Sequence, residues 1–155
     1  MKSPETLLME RRVNWYLHNV RKNREDCINN RMTYDVVECN HEAQMLTLRF
    51  ETTDWMMNPG GVVHGGMLST MFDIAMGVAT LGLSGSFTQT VNLSISFLSP
   101  APNHDHMLVT AHATRVGKTY VQLTAEGYSE KTRVLCATAT GIFHCAGHEK
   151  LTFED

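Results

Sequence analysis

Ionised side chains are nearly missing from the middle of this sequence. Between Asp54 and Asp105 the only one is Asp73, although Asp, Glu, Lys and Arg make up 19% of the 155 residues. Close cysteine pairs are missing too. Cys27, Cys39, Cys136 and Cys145 form no CxxC or similar motif, which argues against a disulfide framework or a structural zinc site. The histidines at 104, 106, 144 and 148 find no partner at metal-ligand spacing, so neither a metal nor another cofactor is expected. Positive charge is in deficit: 13 Lys and Arg against 16 Asp and Glu leave a formal charge of −3, unlike a nucleic-acid binder that tracks phosphates. Arg21, Lys22 and Arg24 read as a solvated helix face. No apolar run free of charge and glycine pairs reaches the length of a membrane span, and MKSPETLLMERR lacks the apolar stretch of a secretory signal. A cytoplasmic chain with no membrane partner is therefore expected.

What is present fits one domain with a sizeable core. Ser3-Pro4-Glu5 reads as an N-cap, a proline at the first helical position and an acid in the first turn. Val13, Leu17, Val20 and Cys27 follow at helical spacing, which predicts one long helix or two short ones to about Asn29. Its role reads as cover for the core, with a membrane-surface face around Trp15 and Tyr16 as the alternative. From Tyr34 the period moves toward two. Tyr34 to Cys39 and Gln44 to Thr53 predict strands, followed by the glycine-rich loop TTDWMMNPGGVVHGG and a helix over about Gly65 to Leu83. Val91, Leu93, Ile95 and Phe97 then alternate with Asn92, Ser94 and Ser96. Met107 to Val116, Tyr120 to Tyr128 and Val134 to His144 add strands joined by Gly117-Lys118 and Glu130-Lys131-Thr132. The pattern predicts an α+β fold: two strands, one very apolar helix and a meander of four strands, with a curved antiparallel sheet of five or six strands wrapped around the helix. An N-terminal helical extension over 1–30, a main domain over 31–146 and a tail over 147–155 are expected.

Asp73 sits on that apolar helix, where a carboxylate is either a costly structural accident or a working group. Asn58, His64, Gly65, Gly66 and Asp73 fall within sixteen consecutive residues, and each has a role in attack of water on a thioester. Two glycines at a helix start leave amides open to an oxyanion, with the helix dipole adding positive potential. Asp73 would act as general base or nucleophile, and Asn58 would orient the water or the carboxylate. Plainer roles exist as well: Asn58-Pro59-Gly60-Gly61 suits a tight turn, His64 suits loop support and Asp73 could cap a loop. Met56, Met57, Met67, Met71 and Met76 read mainly as core. Their flexibility also suits an acyl pocket, which makes Gly66, Met67 and Met71 candidate substrate contacts. Gly65 and Asp73 are eight residues apart, or about 12 Å along one helix. A carbonyl held by the first is out of reach of a water held by the second, so a site using both must join Gly65 of one subunit to Asp73 of its twin. A two-fold dimer follows, with a tetramer as a further option.

NPGGVVHGGMLSTMFDIAMGVA, TVNLSISFLSPA and the RVGKT turn resemble the hotdog-fold acyl-CoA thioesterases, in particular the PaaI-like group of the 4-hydroxybenzoyl-CoA thioesterase superfamily, over about Tyr34 to Cys145. The resemblance implies that Asn58 is the family's loop asparagine and that the Gly65 N–H, within His64-Gly65-Gly66, polarises the thioester carbonyl. It further implies that Asp73 comes from the opposite subunit and that Thr90 helps hold the water. Many members carry an acid two positions beyond Thr90, where this chain has Asn92. Arg115, Lys118, Lys131 and Arg133 are the candidates for the phosphates of CoA. The implied activity is hydrolysis of an aromatic or short- to medium-chain acyl-CoA to free acid and CoA. The alternatives are a non-catalytic acyl-CoA-binding or regulatory module, or a hydratase or dehydratase of β-hydroxyacyl thioesters.

Overall fold

Ser3 caps helix α1 (Pro4–Trp15), its hydroxyl accepting the Thr6 N–H at 3.1 Å. The computed structural model describes residues 1–20, 26–147 and 151. The basic cluster at 21, 22 and 24, His148 and most of the expected tail lie outside the described residues. A π-helical turn (Tyr16–Val20) follows α1, and a short helix α2 (Ile28–Arg31) precedes the first strand. The strands are β1 (Tyr34–Asn40), β2 (Met45–Glu51), β3 (Phe87–Phe97), β4 (His106–Val116), β5 (Tyr120–Ser129) and β6 (Leu135–Ala146), with helix α3 (Gly65–Ser84) between β2 and β3. All neighbours pair antiparallel in one six-stranded sheet of order β1-β2-β4-β5-β6-β3.

That order corrects the expected meander. β3 does not pair with β4; it lies at the far edge, beside β6. The link over residues 98–105 is long enough to make the crossing. Leu98 and Ser99 donate to the Cys136 carbonyl, Val63 to that of Ala101 and Thr52 to that of Asp105, which carries the chain past the helix start to begin β4 beside β2.

Helix α3 has the length and composition of a membrane span, but its most apolar 18-residue stretch, at mean hydropathy 1.4, is 67% buried inside the fold. Its large side chains seat in gaps left by glycines of the sheet. A Cβ at Gly127 would lie 2.8 Å from the Phe72 ring, and one at Gly141 would lie 2.8 Å from the end of Met76. Around them Leu46, Leu48, Phe50, Met71, Met107 and Val109 are fully buried. This close fit of helix to sheet is the main source of stability.

The N-terminal extension covers the other side of α3. Met9 and Val13 are fully buried and pack on Gly82, where a Cβ would lie 2.9 Å from Val13. Arg12 donates to the Gly82 and Leu83 carbonyls at 3.1 and 3.3 Å, satisfying acceptors that the helix end leaves open, and its Nε reaches the Leu151 carbonyl at 2.9 Å. Gly85 terminates the helix in the left-handed region, at a φ of 74°.

Among the cysteines only Cys27 is half-buried; Cys39, Cys136 and Cys145 are buried, and all four are free. Burial, reinforced by Glu10, pushes the Cys39 thiol up to about 12, and burial likewise raises Cys136. Neither is a nucleophile near neutral pH.

Asp105, 2% exposed, is the most buried carboxylate described. It accepts the His106 N–H at 2.7 Å, the Lys131 N–H at 3.2 Å and the Ser129 hydroxyl, tying the start of β4 to the β5–β6 turn. Asp105→Ala leaves those donors unpaired and is expected to lower unfolding free energy by about 3 kcal/mol in urea titration.

Candidate active site

His64 caps α3 with its ring. At φ −60° and ψ 138°, its Nδ1 accepts the Gly66 N–H at 2.9 Å, so the neutral ring carries its proton on Nε2. The Met67 and Leu68 amides turn back to the His64 carbonyl. This corrects the expectation of two open glycine amides. Gly66 is engaged by the histidine, and the Gly65 N–H is the first-turn donor left without an acceptor among the described residues.

Gly65 also lets β3 come close, since a Cβ there would lie 3.3 Å from the Phe97 ring. Asn58 supports the preceding turn: its Oδ1 accepts the Gly60 and Val62 amides at 2.9 and 3.3 Å, beside Gly61 at a φ of 79°. Asn58, Gly65, Leu68, Phe97 and Leu98 line one opening of about 320 Å³.

Asp73 lies elsewhere. It is half-buried, not sealed in packing, and its Oδ1 accepts the Thr90 hydroxyl at 2.6 Å. A β-bulge makes that contact. The pairing of β3 with β6 slips between Thr90 and Asn92, so Thr88 and Thr90 face the helix before the bulge, while Leu93, Ile95 and Phe97 face inward after it. Strict alternation from Val91 to Phe97 would have put Thr90 on the outer face with Asn92. Val91 is instead 57% exposed.

Asp73 and Thr90 border a second cavity of about 170 Å³ that Gly65 and Asn58 do not reach. Sheet register separates the two openings: Thr90 is level with Phe143, near the β4–β5 turn, and Phe97 is level with Ala137, near the β5–β6 turn. The cationic candidates divide the same way. Arg115 and Lys118 share a groove of about 570 Å³ with Val91 and Tyr120, at the Asp73 end. Lys131, whose Nζ donates to the His104 carbonyl, and Arg133 belong to the β5–β6 turn at the opposite end.

The methionines sort by burial. Met56, Met71 and Met76 are sealed in the core, which corrects Met71 as a substrate contact, whereas Met57 and Met67 are half-buried. Gly66, Thr70, Asp73 and Gly77 form a less covered stripe of α3. The sequence argument missed the wall of the Asp73 cavity. Ile74, Gly77, Val78 and Leu81 follow Asp73 at helical spacing, a signal that was available, but Tyr16, Asn29 and Phe143 come from distant segments.

The family profile described as Thioesterase superfamily matches residues 60–136. PA0474 of Pseudomonas aeruginosa, which carries the name of an esterase, is 31% identical over 110 residues, 68% of this chain and 80% of its own length. The chain belongs to the thioesterase superfamily. The acyl-coenzyme A thioesterase THEM4 of Bos taurus is 30% identical over 112 residues, which cover 71% of this chain and 44% of that relative, so the chain spans less than half of it. The PaaI protein of the E. coli phenylacetic acid degradation operon shares the fold at a TM-score of 0.77 and 19% identity, over 90% of this chain and 96% of that one. The hotdog architecture expected from the motifs is the one found.

The His64 cap can be tested without substrate. His64→Ala is expected to lose about 1 kcal/mol of stability in chemical denaturation, and His64→Asn to retain most of it.

Proposed function

We propose that this chain hydrolyses acyl-CoA thioesters in two equivalent sites, each shared between the subunits of a two-fold dimer. The observation that carries the proposal is the arrangement along β3. Gly65 lies at its Phe97 end and Asp73 at its Thr90 end, and between them runs an edge strand with no neighbouring strand on its outer side among the described residues. That edge is long and exposes apolar side chains at Phe87, Val91 and Phe97, with Leu98 just beyond it, all between 44% and 57% exposed, the kind of surface that another strand covers. Two copies of β3 laid antiparallel about an axis near Leu93 and Ser94 bring Phe97 of each level with Thr90 of the other. Gly65 of one subunit then meets Asp73 of its partner, which resolves the separation of about 12 Å along one helix.

In such a site the partner's Gly65 N–H donates to the developing oxyanion, assisted by the helix dipole. Asp73, held through one oxygen by Thr90, uses the other to take a proton from water, or attacks the carbonyl itself. When water attacks, collapse of the tetrahedral species breaks the C–S bond and gives the acid, the thiolate taking up the proton to become the CoA thiol. When Asp73 attacks, collapse releases the thiol and leaves an acyl–aspartyl anhydride, which water hydrolyses to the acid and free Asp73. Arg115 and Lys118, at the Asp73 end, suit the phosphates of CoA. Similarity to the acyl-coenzyme A thioesterase THEM4 supports the choice of thioester.

Asp73→Asn is expected to fold normally and to lose about a thousandfold in kcat, read by thiol release across a panel of acyl-CoAs. Gly65→Pro deletes the amide hydrogen; His64 already has the extended backbone required before a proline, and the Phe97 ring, 3.3 Å from the added Cβ, has to shift slightly to make room. It is expected to lose a hundredfold or so. Mixing the two inactive variants and letting subunits exchange should restore about a quarter of wild-type activity, since half the dimers are mixed and each has one intact site. No recovery, or full activity in a monomer by sedimentation, refutes the shared site; tight acyl-CoA binding without thiol release refutes hydrolysis.

A further inference from the structure

The cavity beside Asp73 is closed by a part of the chain that the proposed chemistry does not use. It runs along α3 from Asp73 past Gly77 to Leu81, between β3 and Phe143 of β6, and its remaining wall is Tyr16 and Asn29 of the N-terminal extension. These two are joined, the Asn29 Nδ2 donating to the Tyr16 hydroxyl at 3.2 Å. The extension is anchored where it meets the cavity: Trp15 packs edge-on against Phe87 at 6.1 Å, and Val13 presses on Gly82. α1 crosses α3 at Gly82, and Tyr16, just past Val13, lines the cavity together with Leu81.

Gly77 carries a second, independent observation. Glycine inside a helix costs about 1 kcal/mol relative to alanine. At Gly82 the packing explains it, because a Cβ would lie 2.9 Å from Val13; at Gly77 a Cβ would meet Phe143 at 3.5 Å and the Thr88 hydroxyl at 3.6 Å, which is ordinary contact. Packing within the chain does not require the glycine. What its missing methyl leaves is room in the cavity.

We infer that this cavity takes the acyl end of the substrate and that Tyr16, braced by Asn29, stops it, limiting the acyl group to one aromatic ring or a chain of about six carbons. The inference rests on the proposed hydrolase reading. Its size argument is that an apolar cavity of about 150 Å³ holds benzene, and this one measures about 170 Å³. The wall is apolar at Ile74, Val78 and Leu81 and polar at the Tyr16–Asn29 pair, so a longer tail would have to displace a hydrogen-bonded stopper.

The test compares kcat/KM for butyryl-, hexanoyl-, decanoyl- and phenylacetyl-CoA within each protein, so that a general loss of activity cancels. Tyr16→Ala is expected to raise the decanoyl-to-butyryl ratio at least tenfold, and Gly77→Ala to lower the hexanoyl-to-butyryl ratio about tenfold while raising thermal stability. Both ratios unmoved in folded variants overturn the inference. A readout free of chemistry separates this from failure of the hydrolase reading: benzene is expected to shift the NMR signals of Gly77 and Phe143 in the wild type, and butylbenzene to do so only in Tyr16→Ala. Butylbenzene binding equally well to both proteins overturns the stopper whether or not any thioester is cleaved.

Discussion

Gly65 and Asp73 ride on one rigid helix, and no side-chain rotation closes the gap between them. The free Gly65 amide is fixed at the helix start by the His64 cap, and the carboxylate is fixed more than two turns later by Thr90. The rest of the molecule is arranged around that separation. Each group opens into its own cavity, the two cavities lie toward opposite ends of β3, and β3 is the edge strand, with Phe87, Val91 and Phe97 exposed while Leu93 and Ile95 pack on the core. That arrangement, with donor and acid held apart in one chain beside an edge strand, is what the proposed dimer rests on.

Holding so apolar a helix steady takes contributions from all sides. Gly127 and Gly141 let Phe72 and Met76 sink into the sheet, while Met9, Val13 and Arg12 of the extension cover and satisfy the C-terminal end. The extension therefore stabilises α3 and, at its next turn, shapes the cavity beside Asp73. Gly82 and Gly77 differ in this respect: a Cβ at the first would press on Val13, whereas at the second it would make only ordinary contacts beside the cavity.

Much of this was legible along the chain. Ser3 and Pro4 start a helix where capping chemistry says one should start, the strand periods were seen within a few residues of their true ends, and the solitary charge at Asp73 marked the less covered face of α3. Other features escaped because they depend on contacts between distant segments. Val91 to Phe97 alternate without a break, so nothing in that pattern reveals the bulge that turns Thr90 toward Asp73. Short turns after β4 and β5 suggested a meander, but the longer link after β3 carries the chain across the helix start. Met71 looked as available as Met67 until burial separated them.

Hydrophobic period, capping residues and the position of a charge within an apolar run are local quantities, and they were enough to establish helix, strands, glycine-opened helix start and acid. Which strand lies at the edge, which way Thr90 points, which cations share an end with Asp73 and whether Tyr16 reaches the same cavity depend on how elements far apart in the chain come to lie side by side. Such neighbours are selected by the packing of the whole core, a property that no stretch of residues carries alone.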